Sequence, residues 1–400
     1  MHLQPSRRLP LASAFALLVV TASPPQALAL PPAQGPAVPQ LAAFDRLMQE
    51  FMDNNDISAG QLAIMRNGVV VFDRAYGWQN KTGDTAPYNL KGLPRGALMR
   101  VASVSKPFTA AAIRALIAQG RLSLDSRVFS LRKGDGGILD LTPFGTPDPR
   151  LGRITVGHLL VHRGGWDRSI AGDLSYRERR IAREMGIASP PGAVNQVRWI
   201  MGQPLQHDPG AEYAYSNIGY MVLGLIIEEV SGEDYLSFLR RHVTRPAGIA
   251  DSELILGRSL RGDAHPREPY YDHPRKAPNV FFPAYSSRRL VEGPYGAAHM
   301  EARFSLGGVV TNARSLVLFL DKYTVSGRHI GTPHQGGVAK RAAHGGKQKG
   351  VRALAVQRED GINFAVIFNK STIDGGLAEL REAINGLIDD GRIQWPERER

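Results

Sequence analysis

Apolar and polar residues follow two different periods along this chain, and each period predicts a different element. Residues 41–53 place apolar side chains at helical spacing, which predicts an amphipathic helix. From residue 59 to residue 78, two apolar runs flank the dipeptide Asn67-Gly68. This dipeptide is typical of a two-residue hairpin turn, so the segment predicts a pair of antiparallel strands.

Both periods return at the other end of the chain. Residues 350–357 and 362–369 predict two strands joined by residues 358–361, and residues 375–390 predict a closing helix. These elements would add to the strands at the start of the chain. We therefore expect one antiparallel sheet, built from both chain ends and flanked by helices.

The middle of the chain, from about residue 122 to residue 290, mixes helical patterns with loops rich in glycine and proline. Residues 218–232 predict a helix that ends at Gly232, and residues 307–323 predict a return to helical order. Residues 262–296 show little periodicity and predict a long ordered loop over a surface. The expected fold class is α/β (α+β), with the middle forming a second, mostly helical lobe.

Composition narrows the class of protein. The 400 residues are 43% hydrophobic and 22% charged, with no cysteine, which is ordinary for a globular protein and excludes disordered, collagen-like and membrane-bundle chains. The net charge is +12. The densest basic patch, residues 176–184, also carries glutamates and is interpreted as a solvated helix face. No nucleic-acid-binding motif accompanies the charge, so no nucleic-acid partner is predicted.

The first residues have the pattern of an export signal. Arg7 and Arg8 precede an apolar run at 11–22 that is too short to span a bilayer comfortably, and residues 27–29 read Ala-Leu-Ala. We expect a signal peptide over residues 1–29, cut after Ala29, and a secreted or periplasmic protein with no stable membrane span. An uncleaved anchor is the alternative. A spacer rich in proline and alanine (30–40), one domain (41–390) and a charged tail (391–400) would follow.

Three short motifs carry candidate chemistry. In the first, Ser103 and Lys106 stand three residues apart, so one helical turn places them on the same face. A serine hydroxyl is a poor nucleophile until a base takes its proton, and a buried lysine can lose its own proton and serve as that base. Taken alone, the pair is more typical of a helix-capping serine and a solvated lysine.

The second motif is Tyr215-Ser216-Asn217, which precedes the helix at 218–232. A tyrosine near a lysine can be held as phenolate and act as a general base, and Asn217 can bind both a lysine and a substrate carbonyl. Alone, it would be a loop tyrosine that packs on the core.

The third motif, His344-Gly345-Gly346, begins a strand. Its glycines would let a substrate approach the backbone. We expect the backbone N–H groups of Lys347 and Ser103 to form an oxyanion hole. Alone, this motif would be a surface turn.

The order and flanks of the three motifs resemble those of the serine β-lactamase and penicillin-binding-protein superfamily. The most similar branch holds class C β-lactamases, DD-peptidases, D-aminopeptidases and related esterases. Residues 154–166 and 304–320 also resemble segments of that family, and the resemblance covers about residues 44–388. It implies a site in the groove between the sheet and the helical lobe.

Two positions depart from the family pattern. His-Gly-Gly stands where class C β-lactamases carry Lys-Thr-Gly, and a histidine is at most partly charged at neutral pH. This departure argues against an efficient β-lactamase. It also predicts that hydrolysis of carboxylate-bearing substrates becomes faster, relative to that of neutral esters, as the pH falls toward 6. Arg-Gly-Gly at residues 163–165 replaces the usual Thr-Ser-Gly and alters a contact at the rim of the site.

The motifs together predict a secreted serine hydrolase that forms an acyl-enzyme on esters or D-amino-acid peptides, with weak β-lactamase activity at most. Ser103 is the expected nucleophile, and Tyr215 with Lys106 moves its proton. The remaining residues are expected to bind substrate: Asn217, His344, Gly345 and Gly346.

The expected partner is a small ester, a peptide or a fragment derived from the cell wall, with no cofactor and no metal, and the oligomeric state is open. His158 and His162, four residues apart, are interpreted as packing residues rather than metal ligands. A binding or sensing protein on the same fold, without catalysis, is the alternative.

Overall fold

An antiparallel sheet of six strands is the centre of the computed structural model, which describes residues 32–80, 91–132, 134–334 and 341–396. The predicted signal peptide and its cleavage site lie outside the described residues. In chain order the strands are β1 (Ala33–Gln34), β2 (Ala59–Arg66), β3 (Val69–Gly77), β4 (Met99–Arg100), β5 (Leu254–Leu256), β6 (Lys276–Pro278), β7 (Leu290–Glu292), β8 (Val309–Thr311), β9 (Ala342–Gln348), β10 (Val351–Gln357) and β11 (Ile362–Phe368). The large sheet has the order β1-β3-β2-β11-β10-β9, so both chain ends build it, as predicted.

The helices surround this sheet and fill the middle of the chain. They are α1 (Ala42–Asn54), α2 (Ser105–Ala118), α3 (Val156–Leu160), α4 (Arg168–Ala171), α5 (Glu178–Met185), α6 (Gly192–Met201), α7 (Asn217–Ser231), α8 (Tyr235–Leu239), α9 (Ala313–Lys322) and α10 (Ala378–Asp389). The helices α2 to α8 form the predicted helical lobe. In the described part of the chain, no helix has both the length and the apolarity that a membrane crossing needs.

Alternation along β2 explains why the sheet has two buried faces. Leu62 and Ile64 belong to the apolar cluster that includes α1 and α10, whereas Ala63 and Met65 belong to the larger cluster that continues into the helical lobe. Successive side chains of a strand point to opposite faces, so one strand serves both cores. The sheet is therefore covered on both sides, and its edge strands are β1 and β9.

Several local predictions are confirmed. Asn67 and Gly68 both have positive φ (49° and 79°), as a hairpin turn of this type requires, and they join β2 to β3. The helix α7 ends at Gly232, which adopts the left-handed conformation at its C-terminus.

The stretch predicted as a spacer contains a short strand in its described part, because Ala33 and Gln34 pair with β3.

The prediction of helix throughout residues 307–323 is wrong at its start. Val309–Thr311 forms the central strand of a three-stranded sheet in the order β4-β8-β5, and the helix begins at Ala313. Two of these three residues are valines and the third is threonine, all β-branched and suited to a strand. The Asn312 side chain then accepts a hydrogen bond from the Ser315 N–H and starts α9.

The stretch 262–296 is less featureless than predicted, since β6 and β7 form a small hairpin within it. Two of its side chains, Tyr271 and Tyr295, pack in one apolar cluster with Ala102, the residue before Ser103. The loop therefore supports the segment that carries the first motif.

Candidate active site

Ser103 lies in a single 3₁₀ turn (Ala102–Val104) that runs directly into α2. The preceding residue, Ala102, is buried and has a φ of +48°, in the left-handed region that side chains other than glycine rarely adopt. Conformations of this kind persist only where the surrounding structure holds them, and they cluster at functional sites. The backbone thus presents Ser103 in a fixed orientation.

The first two motifs meet at the Ser103 hydroxyl. Lys106 Nζ lies 3.2 Å from Ser103 Oγ, and the Tyr215 hydroxyl donates a hydrogen bond to the same oxygen at 2.9 Å. Lys106 Nζ also donates to Asn217 Oδ1 at 2.8 Å and to the Leu306 carbonyl at 2.7 Å. All four predicted residues of these motifs are therefore brought together.

Burial sets the protonation states of the two groups beside Ser103. It lowers the pKa of Lys106 to about 7, with Arg168 and Arg303 acting in the same direction and Asp173 opposing them. Burial also raises the pKa of Tyr215 to about 12, against the hydrogen bond to Ser103 and the charge of Arg168. The prediction that Tyr215 is held as a phenolate is therefore wrong for the free protein, because desolvation favours the neutral phenol.

The hydrogen-bond pattern around Lys106 fits a neutral amine. An amine carries two N–H donors and one lone pair. In the neutral amine, Asn217 and Leu306 would each accept one of those donors, and the lone pair would face Ser103 Oγ at 3.2 Å. Lys106 in this state would be able to take a proton from the serine.

Asp173 is a residue of the candidate site that sequence reasoning missed. Its Oδ2 accepts a hydrogen bond from Asn217 Nδ2 at 2.6 Å, which fixes the amide so that Asn217 Oδ1 faces Lys106. Its Oδ1 caps the 3₁₀ turn at Leu174–Tyr176. The one signal in the sequence is the pattern Asp-x-Ser, which is common at such caps and does not reveal the contact with Asn217.

The strand β9 passes directly beside the nucleophile turn. A Cβ on Gly346 would lie 2.2 Å from the Val101 carbonyl oxygen, so a glycine is required for this approach, whereas a Cβ on Gly345 would meet nothing within 4 Å. Gly345, Gly346 and Lys347 line the same cavity as Ser103. This placement agrees with the predicted oxyanion hole of the Ser103 and Lys347 N–H groups.

His344 was predicted to bind substrate, but it does not line the Ser103 cavity. Its Nδ1 donates to the Val325 carbonyl at 2.9 Å, and it lines a neighbouring cavity of about 770 Å³ rather than the Ser103 cavity. Burial and the nearby Lys106 lower its pKa to about 4. The imidazole is therefore neutral at pH 6 to 7. The prediction that protonation of His344 favours hydrolysis of carboxylate-bearing substrates as the pH falls toward 6 is withdrawn.

The two histidines of the segment 154–166 have structural partners. His162 Nδ1 accepts from the Ser216 N–H at 3.2 Å, and its ring lies 4.5 Å from the Tyr215 ring. His158 Nδ1 accepts from the Thr155 N–H at 3.3 Å. Within the described ranges no group of three or more histidine, aspartate and glutamate side chains is placed to hold a metal ion.

Arg163 stands where the family has threonine. It is hydrogen-bonded to the loop that leads to the second motif. Its Nη1 donates to the carbonyls of Gly210 and Ala211 at 3.0 and 2.7 Å. The departure in sequence thus has a structural role near Tyr215.

The cavity beside Ser103 has a volume of about 550 Å³ and a cationic lining. Arg168 lies over the Tyr215 ring at 4.6 Å. Arg303 is buried, bonded to Glu178 at 2.8 Å, and lies over the Tyr176 ring at 3.7 Å. Sequence reasoning did not assign these arginines to the site, because nothing in their spacing distinguishes them from other scattered arginines.

Comparison with known proteins gives the family. Residues 44–380 match the protein-family model described as Beta-lactamase. The chain belongs to the beta-lactamase family. Among curated proteins, it is 28% identical over 213 residues to Protein flp of Staphylococcus aureus (strain MW2), an alignment that covers 51% of this chain and 36% of that protein. It is also 28% identical over 193 residues to the probable fimbrial assembly protein FimD (serogroup H1) of Dichelobacter nodosus, covering 48% of this chain and 43% of that protein. The aligned part of the chain thus spans less than half the length of these relatives.

Solved structures show the same fold at low sequence identity. The octameric penicillin-binding protein homologue from Pyrococcus abyssi aligns with a TM-score of 0.59 at 20% identity, covering 87% of this chain and 77% of that one. The D-amino acid amidase from Ochrobactrum anthropi SV3, complexed with L-phenylalanine amide, aligns with a TM-score of 0.57 at 17% identity, covering 88% and 100%.

Proposed function

We propose that this protein is a serine hydrolase that works through an acyl-enzyme formed on Ser103. One observation carries the proposal: Ser103 Oγ lies 2.9 Å from a phenol and 3.2 Å from a lysine whose pKa is lowered to about 7. A base whose pKa is close to the working pH is the kind that general base catalysis needs. Membership of the beta-lactamase family supports the same reaction class.

In the acylation step, the Lys106 amine takes the proton of Ser103 while Oγ attacks the substrate carbonyl carbon. The carbonyl oxygen becomes an oxyanion, which the N–H groups of Ser103 and Lys347 stabilise. The tetrahedral species then expels the leaving group. Tyr215 donates its hydroxyl proton to that group and regains a proton from the Lys106 ammonium.

In deacylation, a water molecule attacks the ester carbonyl of the acyl-enzyme, and the same groups move its proton. The water O–H proton passes to the Lys106–Tyr215 pair and returns to Ser103 Oγ as the acyl–oxygen bond breaks. The free acid leaves, and the resting hydrogen bonds reform. Asn217, held by Asp173, keeps Lys106 in place in both steps.

We infer that the substrates are esters or D-amino-acid amides and peptides rather than β-lactams. His344 stands where class C β-lactamases carry a lysine, and as a neutral imidazole it supplies no positive charge at that position for the carboxylate of a penicillin or a cephalosporin. The structural neighbours of this fold include proteins described as D-amino acid amidases.

The test is a direct comparison of substrates on the protein without its first 29 residues. We expect labelling of Ser103 by a fluorophosphonate and turnover of p-nitrophenyl acetate or of a D-amino-acid amide well above that of nitrocefin. A protein that takes no label and turns over none of these substrates would instead be a binding or sensing protein on the same fold.

A further inference from the structure

The helix α5 lines a cleft that is separate from the Ser103 cavity. This cleft, called here the α5 cleft, has a volume of about 910 Å³ and lies between α5 and residues 278–284 of the long loop. Five basic side chains line it: Arg177, Arg179, Arg180, Arg183 and Lys349. The arginines are exposed, as the sequence suggested, but they form the wall of a groove rather than an isolated helix face.

Most of these basic side chains form no ion pair among the described residues. Arg180 pairs with Glu184 at 2.7 Å, and Glu178 is turned inward to the buried Arg303. In the part of the chain that the structure describes, no carboxylate forms an ion pair with the other four basic residues of the cleft, Arg177, Arg179, Arg183 and Lys349. Uncompensated cations gathered in a groove produce a field that attracts anions.

The α5 cleft adjoins the Ser103 cavity. Tyr176 lines both, and the end of β9 passes from Lys347 and Gln348 in the Ser103 cavity to Lys349 in the cleft. Two buried donors of residues that line the Ser103 cavity have no partner among the described residues, Arg303 Nε and Gln348 Nε2. Buried donors are normally satisfied, so these two point to a ligand that accepts hydrogen bonds.

We propose that the α5 cleft binds an acidic stretch of a peptide whose scissile carbonyl lies at Ser103. Guanidinium groups bind carboxylates with two parallel hydrogen bonds, and four of the five basic residues are arginines. The inference rests on the proposed hydrolase for the placement of the carbonyl, but the cleft itself is defined independently of catalysis.

Nucleic acid fits this cleft less well than an acidic peptide does. Single-stranded nucleic acid needs open aromatic faces on which bases stack. Here Arg303 lies over Tyr176 at 3.7 Å, and Arg179 and Arg289 lie over Phe282 at 5.8 and 5.6 Å. These aromatic faces are engaged by guanidinium groups, and Arg179 among them remains exposed to bind a carboxylate.

The test measures binding without turnover. Fluorescein-labelled octaglutamate is titrated with the Ser103→Ala protein, and its anisotropy is compared with that of labelled octaglutamine and of an oligonucleotide of the same charge. We expect octaglutamate to bind most tightly, and its affinity to fall as salt is added. Equal binding of octaglutamine, or tighter binding of the oligonucleotide, would overturn the proposal.

Two double variants locate the site. Arg179→Gln/Arg183→Gln removes two charges from the cleft and is expected to weaken octaglutamate binding about tenfold. The matched control, Arg46→Gln/Arg314→Gln, removes two charges from exposed positions on α1 and α9 and is expected to bind like its parent. An equal loss in both would mean that net charge alone attracts the peptide, and the cleft would be rejected.

Ester hydrolysis and octaglutamate binding are measured in separate experiments. With Ser103 restored, both double variants are expected to hydrolyse p-nitrophenyl acetate at the parent rate, because this small neutral ester does not reach the α5 cleft. Absence of ester hydrolysis in the parent, with octaglutamate binding intact, would reject the hydrolase and leave the cleft standing as a peptide-binding site.

Discussion

At the residue scale, the site depends on one desolvated lysine. Lys106 is fully buried, and both of its N–H donors have acceptors, so the group is placed to receive a proton from Ser103. The buried ammonium is disfavoured by loss of water, and its pKa falls to about 7. The reactivity of Ser103 should therefore depend on the protonation state of Lys106.

We expect kcat/KM for a neutral ester to rise as the pH passes upward through about 7. Below that pH Lys106 is an ammonium without a lone pair, and above it the amine can take the proton of Ser103. Lys106→Arg, which remains charged at any accessible pH, should remove both the activity and the inflection. A profile that is flat from pH 6 to pH 8 would show that another base acts.

Ser103→Ala should abolish fluorophosphonate labelling and turnover while the fold remains intact. Ser105 is the matched control, because its hydroxyl faces inward, donating to the Ala102 carbonyl and accepting from the Val309 N–H. Ser105→Ala should keep the label but lose about 1–3 kcal/mol of stability, since it leaves a buried N–H unpaired. Loss of labelling in both folded variants would contradict the choice of Ser103.

Tyr215→Phe should lower kcat by about 10²–10⁴-fold with little change in KM, because the ring remains and only the proton donor is lost. Steady-state kinetics on an ester with a poor leaving group gives the clearest measurement. Near-normal turnover would mean that Lys106 moves the proton alone.

At the scale of elements, the site depends on how closely β9 approaches the nucleophile turn. Gly346 allows the contact with Val101, and Gly345 has open space beside it. Gly346→Ala should push β9 away, lower the melting temperature and reduce labelling of Ser103. Gly345→Ala should leave the melting temperature nearly unchanged, and equal destabilisation of the two variants would show that this contact is not the reason for the glycine.

A second element-scale prediction concerns the long loop. Arg100, at the end of β4, and Glu268 form an ion pair in which each side chain is 1% exposed, and Tyr271 donates to the same carboxylate at 2.9 Å. Glu268→Gln leaves a buried guanidinium without its counter-charge and should cost about 3–5 kcal/mol of unfolding free energy in urea. Arg245→Gln, which breaks the exposed pair with Asp251, should shift the urea midpoint little.

At the scale of the whole molecule, the site is assembled from parts of the chain that are distant in sequence. The helical lobe supplies Ser103, Lys106, Tyr215 and Asn217, and the sheet supplies β9. The α5 cleft adjoins the Ser103 cavity at Tyr176. Catalysis is thus proposed beside Ser103, and binding of an acidic peptide in the neighbouring α5 cleft.

Export is the prediction that concerns the complete chain. We propose that residues 1–29 direct secretion and are removed, so N-terminal sequencing of protein from the envelope of the producing cell should begin at Leu30. Protein that retains Met1 and remains in the cytoplasm would contradict this.

Much of this structure follows from the sequence, because its signals are local. The hairpin at Asn67-Gly68 and the end of α7 at Gly232 need only the conformational preferences of one or two residues. The pair Ser103 and Lys106 shares a face through the geometry of a single helical turn. The order of the three motifs was enough to indicate the family that the comparison then showed.

Only the tertiary structure decided the protonation of the site and the partners of its residues. Burial depends on what packs around a group, so no spacing could show that the pKa of Lys106 falls to about 7, that Tyr215 keeps its proton or that His344 is uncharged. The contact of Asp173 with Asn217 joins residues 44 positions apart, and the α5 cleft exists because a distant loop lies opposite α5. The sequence by itself determined which groups could react, and the packing determined in which charge state they meet.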